Sequence, residues 1–195
     1  MLLIISIGAI VGIAIAVLIV IIIIAIVAWA IKMYNKLVDG RNKVKNSWSQ
    51  VDVQLKRRFD LIPNLVETVK GYANHESEIF TKFAEARKLY NDASSEGSVQ
   101  KAAEASNQLN KLVTFTIEKY PELKADAHFS ELLSTLKDTE DKIAYTRQFY
   151  NDVVLSYNNL REKFPGNIIA NSFSFKEAEL FKVDEASREA PSVKF

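Results

Sequence analysis

Hydrophobic positions recur at alternating spacings of three and four residues from Tyr34 to Tyr72, over more than five heptads. Ten of these twelve positions are apolar or aromatic, and the other two are arginines. The positions are Tyr34, Leu37, Arg41, Val44, Trp48, Val51, Leu55, Arg58, Ile62, Leu65, Val69 and Tyr72. A narrow apolar stripe at this spacing indicates a helix that buries one face against other helices. It predicts an all-α bundle built around this helix, here called the seam helix.

The segment before the seam helix is uniformly apolar. Leu2 to Ile31 carries no charged side chain, and as a helix it would reach about 45 Å against a hydrocarbon core of about 30 Å. We predict a transmembrane helix over residues 1–33 that runs directly into the seam helix. Ala28-Trp29-Ala30 also fits a signal-peptide cleavage site, but the run lacks a basic amino-terminal region and exceeds the usual length of about 7–15 residues.

Small residues recur every four positions inside this span. Gly8 and Gly12 form a G-x-x-x-G pair, and Ala16 extends the spacing. A ridge of small residues lets helix backbones approach closely in lipid, so it is a candidate surface for transmembrane self-association. The motif is not specific, because glycine and alanine are common in membrane spans.

Basic residues are concentrated on one side of the span. From Lys32 to Arg58 there are eight basic and two acidic residues, whereas from Phe59 onward there are 17 basic and 22 acidic ones. The positive-inside rule then predicts an external amino terminus and a cytoplasmic domain. The basic side chains expected at the membrane surface, where each contributes about 1 kcal/mol of attraction to anionic headgroups, are Lys32, Lys36, Lys43 and Lys45. A topology signal without lipid selectivity is the alternative.

Further helices follow the seam helix and complete a long antiparallel bundle over residues 34–164. Proline at Ile62-Pro63 predicts a kink or short break, with Asp60 as a cap for the new helix. Asn91 to Ser98 has turn composition, and Pro121 ends a helix. The predicted helices run from Ser77 to Tyr90, from Val99 to Tyr120, and from Glu122 or Ala127 to Phe164.

Charged residues interrupt the apolar stripes of the two longest helices. Arg41 and Arg58 lie on the seam helix, and Glu140 and Arg147 lie on the stripe of the last helix. A charge on a packed face is costly unless it is paired. We therefore predict a polar network in which Glu140 accepts from Arg147, Arg58 or Arg41, the alternative being that some arginines extend to the bundle edge.

Residues 165–195 form a carboxyl-terminal tail that we expect to be mostly irregular. Four large apolar residues would be a liability if the tail were free in water. They should either fold back on the bundle or dock on a neighbouring subunit, and they are Phe173, Phe175, Leu180 and Phe181. The tail ends in a polar stretch from Glu185 to Pro191.

Catalytic, cofactor and metal motifs are not found in the sequence. The six glycines do not form a phosphate-binding loop, and the two histidines, His75 and His128, are too far apart to share a helix face. With no cysteine there is no thiolate chemistry and no disulfide framework. The acidic balance beyond Lys56-Arg57-Arg58 disfavours nucleic acid as a partner. We expect neither an enzyme nor a cofactor.

One stretch is specific enough to indicate a family. DVQLKRRFDLIPNLVETVKGYA at residues 52–73, followed by His75-Glu76, resembles the signature of the LemA family of bacterial membrane proteins. The resemblance extends over roughly residues 34–181. Further fitting residues are Tyr34-Asn35, Leu37-Val38, Arg41-Asn42, Trp48, Thr139-Glu140, Ile143-Ala144, Arg147, Tyr150-Asn151, Tyr157-Asn158 and Phe164-Pro165. It implies an amino-terminal membrane anchor, a cytoplasmic helical domain and no established enzymatic activity.

Two functions fit these features. The first is a single-pass scaffold that self-assembles at the bacterial cytoplasmic membrane and organises or bends it, since a LemA relative is similar to magnetosome-membrane proteins. Its partners would be other copies of itself and the bilayer, including anionic lipids. The second is a monomeric, membrane-tethered adapter in signalling or stress response, whose acidic end binds an unknown protein partner.

Overall fold

The computed structural model describes residues 2–72 and 77–182 of the chain. These residues form helices and connecting turns without a strand, which confirms the predicted all-α class. The helices are α1 (Leu2–Phe59), α2 (Ile62–Lys70), α3 (Ser77–Glu96), α4 (Val99–Lys119), a 3-10 helix (Pro121–Ala125), α5 (Ala127–Glu162) and α6 (Gly166–Ser172). His75 and Glu76 of the LemA-like signature, and the polar end of the tail, lie outside the described residues.

The predicted break near Pro63 is confirmed. Helix α1 ends at Phe59 and α2 begins at Ile62, so the proline falls in the first turn, where no amide donor is needed. The predicted cap is wrong, because Leu61 occupies the N-cap position without a side-chain hydrogen bond. The Asp60 carboxylate instead accepts from Lys56 Nζ at 3.0 Å, one turn back on α1.

Helix α3 continues six residues beyond the predicted end at Tyr90. The polar composition after Tyr90 suggested a turn, but Ala93 is fully buried and continues the packed face of the helix. The turn itself is confined to Gly97 and Ser98. Gly97 adopts φ +66°, a left-handed conformation that favours glycine, and Ser98 Oγ caps α4 by accepting from the Lys101 amide.

The chain divides into two compact units. The larger unit contains residues 43–156 and 178–195, and the apolar core lies mostly within it. Val51, Leu55 and Phe59 of α1 are buried there, and the Phe59 and Tyr90 rings stack with centroids 4.4 Å apart. The stripe of the seam helix continues through Ile62, Leu65 and Val69 of α2, so both pieces line the same core, as expected.

The smaller unit contains residues 1–42 and 157–177. Here α1 and the end of α5 approach closely at Gly40. The distance shows this, since a Cβ added to Gly40 would lie 3.0 Å from Cδ2 of Tyr157. Helix α6 also belongs to this unit and was not predicted, since residues after Phe164 were expected to be irregular. Two of its residues, Ile169 and Ala170, are buried. Seven residues give too few turns for a helical period to be visible in the sequence.

The segment after α6 folds back on the bundle as far as it is described, which is one of the two predicted arrangements. Phe175 and Phe181 are buried, whereas Phe173 and Leu180 are exposed, so two of the four expected anchors are confirmed. Hydrogen bonds to the main chain hold the segment. Tyr157 Oη donates to the carbonyl of Lys176 at 2.9 Å in the smaller unit, and similar bonds occur in the larger one.

Candidate functional site

The first candidate site is the apolar part of α1. Within the described residues, this helix alone is long and apolar enough to cross a membrane. Its large side chains from Ile10 to Ile31 are exposed, and no other described part of the chain covers them. Such a surface is unstable in water and suits a lipid environment. Helix α1 therefore has the length and composition of a membrane span.

The predicted ridge of small residues lies on this exposed surface. Gly8, Gly12 and Ala16 are one turn apart on α1, and all three are exposed. A Cβ added to Gly8 or Gly12 would meet no atom within 4 Å. The ridge is therefore free to contact another helix, and nothing in the fold of one copy requires glycine at these two positions.

The four lysines predicted at the membrane surface are all exposed on α1. Lys32 and Lys36 belong to the smaller unit, and Lys43 and Lys45 to the larger one. None of them forms an ion pair with a residue that the structure describes. Their positive charges are thus available to an external anion such as a lipid headgroup.

The predicted polar network brings together two of its four residues. Arg58 of α1 and Glu140 of α5 form an ion pair in the larger unit, and the Arg58 side chain is only 4% exposed. Two polar residues of α4 complete the cluster. Ser106 Oγ accepts from Arg58 Nη1 at 3.3 Å, and the side-chain carbonyl of Asn110 accepts from Nη2. Asn110 Nδ2 donates to Glu140 Oε1 at 3.5 Å.

Burial sets the electrostatics of this cluster. Loss of solvation lowers the pKa of the Arg58 guanidinium, and the neighbouring Glu140 carboxylate opposes that change. An arginine remains charged at neutral pH even so. Arg58 Nε is buried without a hydrogen-bond partner in the described structure, whereas Nη1 and Nη2 both have partners. The arrangement fixes α1, α4 and α5 together and presents no group suited to catalysis.

The other two arginines of the predicted network are not part of it. The Arg41 guanidinium lies over the Phe175 ring, 5.4 Å from its centroid, in the smaller unit. Arg147 is half-buried and forms no ion pair with Glu140. Arg58 is the partner because it lies on the side of α1 that faces α5, at the same level as Glu140. The apolar stripe of a single helix does not define the level at which a second helix packs against it. Ser106 and Asn110 were missed, since small polar residues are common on helices.

A second polar cluster involves tyrosines at the bundle edge. Tyr90 Oη donates to Asp52 Oδ1 at 3.1 Å, and Ser94 Oγ donates to Asp52 Oδ2 at 3.3 Å. Burial, followed by the charge of Asp52, raises the pKa of Tyr90 above its ordinary value. A tyrosine with a raised pKa stays protonated and is a poor base. The cluster therefore has a structural role and links α1 to α3.

A groove of about 550 Å³ lies between α2 and α3. Apolar residues of α2 form one wall and Phe80 and Ala84 form the other, with Arg87 and Lys88 at the edge. The described residues contain no group of three potential metal ligands. His75 lies outside the described residues.

Comparison with known proteins identifies relatives over most of the chain. The model of the LemA family matches residues 47–195. A protein of Metamycoplasma hominis named Protein LemA is 26% identical over 155 residues, covering 79% of this chain and 71% of the relative. These matches agree with the resemblance carried by residues 52–73, and they include the helices of the larger unit.

Two further relatives have names that refer to a membrane organelle. Magnetosome protein MamQ 2 of Paramagnetospirillum magneticum is 26% identical over 185 residues, covering 81% of this chain and 68% of the relative. Magnetosome protein MamQ of Magnetospirillum gryphiswaldense is 24% identical over 184 residues, covering 80% and 67%. None of these names denotes an enzyme.

Proposed function

The chain belongs to the LemA family, and on that premise we propose that it is a non-enzymatic scaffold, anchored in the bacterial cytoplasmic membrane. In this proposal, copies of the chain self-assemble and organise or remodel the bilayer. The proposal is based on the continuity of helix α1. This one helix contains both the exposed apolar span and the buried core residues Val51, Leu55 and Phe59.

The continuity of α1 supports a scaffold for a mechanical reason. A helix anchored in lipid at one end and packed at the other has no flexible linker between the two, such as a glycine- or proline-rich stretch. Contacts between neighbouring copies would then constrain the spacing of the spans. The likeness to proteins named for the magnetosome supports the same kind of role.

Self-association would use the ridge of Gly8, Gly12 and Ala16. In lipid, helices associate through close backbone packing at small residues, because apolar surface alone gives no preference for helix over lipid. The ridge is exposed along its whole length, as such an interface requires.

The membrane surface would attract Lys32, Lys36, Lys43 and Lys45. The first two would lie at the headgroups, whereas the other two would act from about 17–20 Å further along α1. Their excess of positive charge also orients the chain, with the amino terminus outside and the bundle in the cytoplasm. Carboxyl-terminal fusions in a bacterial cell test this orientation. A fused fluorescent protein that matures only in the cytoplasm should be bright, and a fused alkaline phosphatase that requires export should be inactive; the reverse result would exclude a cytoplasmic bundle.

Reconstitution tests the remodelling activity. Full-length protein is inserted at increasing density into vesicles of defined diameter that contain anionic lipid, and the vesicles are imaged by cryo-electron microscopy. The proposal predicts a density-dependent change in membrane curvature or a regular protein array. The matched variant Gly8→Ile with Gly12→Ile, which leaves the bundle unchanged, should weaken the effect. Vesicles indistinguishable from protein-free ones at every density would contradict the proposal.

A further inference from the structure

Three large apolar side chains at the end of α5 and along the following segment have no role in the bundle core. Phe164 is 80% exposed, Phe173 is 60% exposed and Ile168 is 51% exposed. All three belong to the smaller unit, which also contains the apolar part of α1. Three large apolar side chains exposed within ten residues of one segment indicate a surface that is covered by a partner or by lipid.

The position of this cluster along α1 identifies what covers it. A Cβ added to Gly166 would lie 3.6 Å from Met33 Sδ, and the Phe173 and Tyr34 rings have centroids 4.8 Å apart. Met33 and Tyr34 follow the end of the uncharged run, Ile31, by only two and three residues. The turn between α5 and α6 therefore lies beside the end of the apolar span.

Bilayer dimensions place this level within the lipid headgroup region. That region extends about 5–8 Å beyond the hydrocarbon core on each side, which corresponds to four or five helical residues. Lys32 is the first charged residue after the span, and a lysine at this position lies among the headgroups. Tyr34 follows within about 3 Å along the axis. Trp29 and Tyr34 are also the aromatic types that favour this interface.

We propose that Phe164, Ile168 and Phe173 form an interfacial foot, which inserts into the bilayer beside the span at the boundary between headgroups and acyl chains. Exposed neighbours on the same unit, Lys163 and Lys36, would meet anionic headgroups. This inference depends on the proposed function, in which α1 spans the bilayer. The foot deepens that function by supplying a second membrane contact confined to one leaflet.

Insertion in one leaflet has a mechanical consequence. The span occupies both leaflets equally, whereas the foot adds cross-section only on the side of the bundle. An asymmetric increase in area bends a bilayer toward the opposite leaflet, so each copy would contribute curvature as well as position. The foot would also restrict rotation of α1 about its own axis, because the chain would then contact the membrane at two adjacent places, the span and the foot.

Site-directed spin labelling tests the foot in the full-length chain, reconstituted into vesicles with anionic lipid. The native sequence has no cysteine, so each label is placed uniquely. Labels at Phe164→Cys and Ile168→Cys should collide readily with apolar oxygen and poorly with a water-soluble nickel complex. The matched control is Tyr145→Cys, an aromatic residue of α5 that is 73% exposed and should show the opposite preference.

Two other outcomes overturn the foot. Nickel accessibility equal to that at residue 145 would show that these side chains face water. Protection from both reagents would show that protein covers them, as in contact with a second copy. A label at Ile22→Cys separates these failures from failure of the proposed function. If α1 spans the bilayer, this label should be accessible to oxygen and protected from nickel, whether or not the foot inserts. Nickel accessibility at residue 22 would reject the span itself.

Discussion

At the scale of single residues, Arg58 has the most demanding environment in the bundle. Its guanidinium is almost completely buried, paired with Glu140 and hydrogen-bonded to Ser106 and Asn110, while Nε lacks a partner. The Arg58 side chain is buried whereas the Glu140 side chain is 39% exposed, and a pair with such a desolvated member contributes little net stability compared with an apolar replacement. It contributes specificity instead, because α1, α4 and α5 must be in one register for the charge to be satisfied.

Removal of one member of this pair should therefore be more harmful than removal of both. Glu140→Ala leaves Arg58 as an uncompensated buried charge and should cost about 3 kcal/mol of unfolding free energy. Arg58→Met combined with Glu140→Met should recover most of that loss. Chemical denaturation of the detergent-solubilised protein measures both, with Glu131→Ala, at an exposed position on α5, as the control. A double variant as unstable as Glu140→Ala would contradict a charge-based explanation.

Tyr150 should make the fold sensitive to alkaline pH. Its hydroxyl donates to the carbonyl of Glu179, and burial raises its pKa from 10.0 to about 12. The folded state thus holds the proton more tightly, so this stabilisation is complete below pH 10 and is lost as the pH rises to about 12. The loss amounts to roughly 1–2 kcal/mol, because the hydroxyl is only partly shielded from solvent.

The alkaline effect can be assigned to this residue by comparing two variants. Thermal unfolding of wild type should fall in midpoint between pH 9 and 11.5, and Tyr150→Phe should reduce the fall because phenylalanine has no proton to lose. Tyr145→Phe, at an exposed position, should keep the wild-type dependence. An identical fall in all three proteins would show that other groups cause it.

At the scale of elements, the segment after α6 is held by hydrogen bonds to its backbone as well as by its buried phenylalanines. Asn151 accepts from the Phe181 amide at 2.9 Å and donates to the Phe181 carbonyl at 3.1 Å, so one amide side chain satisfies both main-chain groups. The Phe181 ring packs near Trp48, with centroids 6.3 Å apart. An extended segment needs such partners because it has no internal hydrogen bonds.

Asn151→Ala should release this segment locally without unfolding the helices. Each lost hydrogen bond is worth about 0.5–1.5 kcal/mol, so exchange of the Phe181 amide with deuterium should accelerate roughly tenfold. Hydrogen exchange measured by mass spectrometry on peptides covering residues 178–182 checks this. Asp152→Ala, at the exposed neighbouring position, should leave the rate unchanged. Unchanged exchange in Asn151→Ala would mean that packing of Phe181 alone holds the segment.

The elements also show which features can be predicted from the sequence. A long helix repeats its apolar stripe many times, so the spacing of apolar residues predicts α1, α4 and α5. The missing amide hydrogen of Pro63 predicts the break before α2. Helix α6 is too short to show a period, and the polar end of α3 conceals the buried Ala93. The pairing of Arg58 with Glu140, and the absence of Arg41 and Arg147 from that network, depend on the relative height of separate helices.

At the scale of the whole molecule, the proposed self-assembly would use the same helix, α1, that carries the apolar span. Replacement of Gly8 and Gly12 by isoleucine would add bulk where a neighbouring helix would approach, at positions where an added Cβ meets no described atom within 4 Å. The double variant should fold normally but form smaller assemblies. Sedimentation in mild detergent measures the change, and Ile13→Leu in the same helix is a volume-matched control. Assemblies of unchanged size would exclude this ridge as their cause.

The most direct test of the scaffold is the particle mass and shape of the full-length protein in mild detergent and in nanodiscs, determined by light scattering with electron microscopy. The account predicts discrete or stacked assemblies of many subunits. A monodisperse monomer in both environments, at concentrations that match membrane density, would contradict it. The chain would then be better explained as a tethered adapter, whose function depends on a protein bound to its bundle.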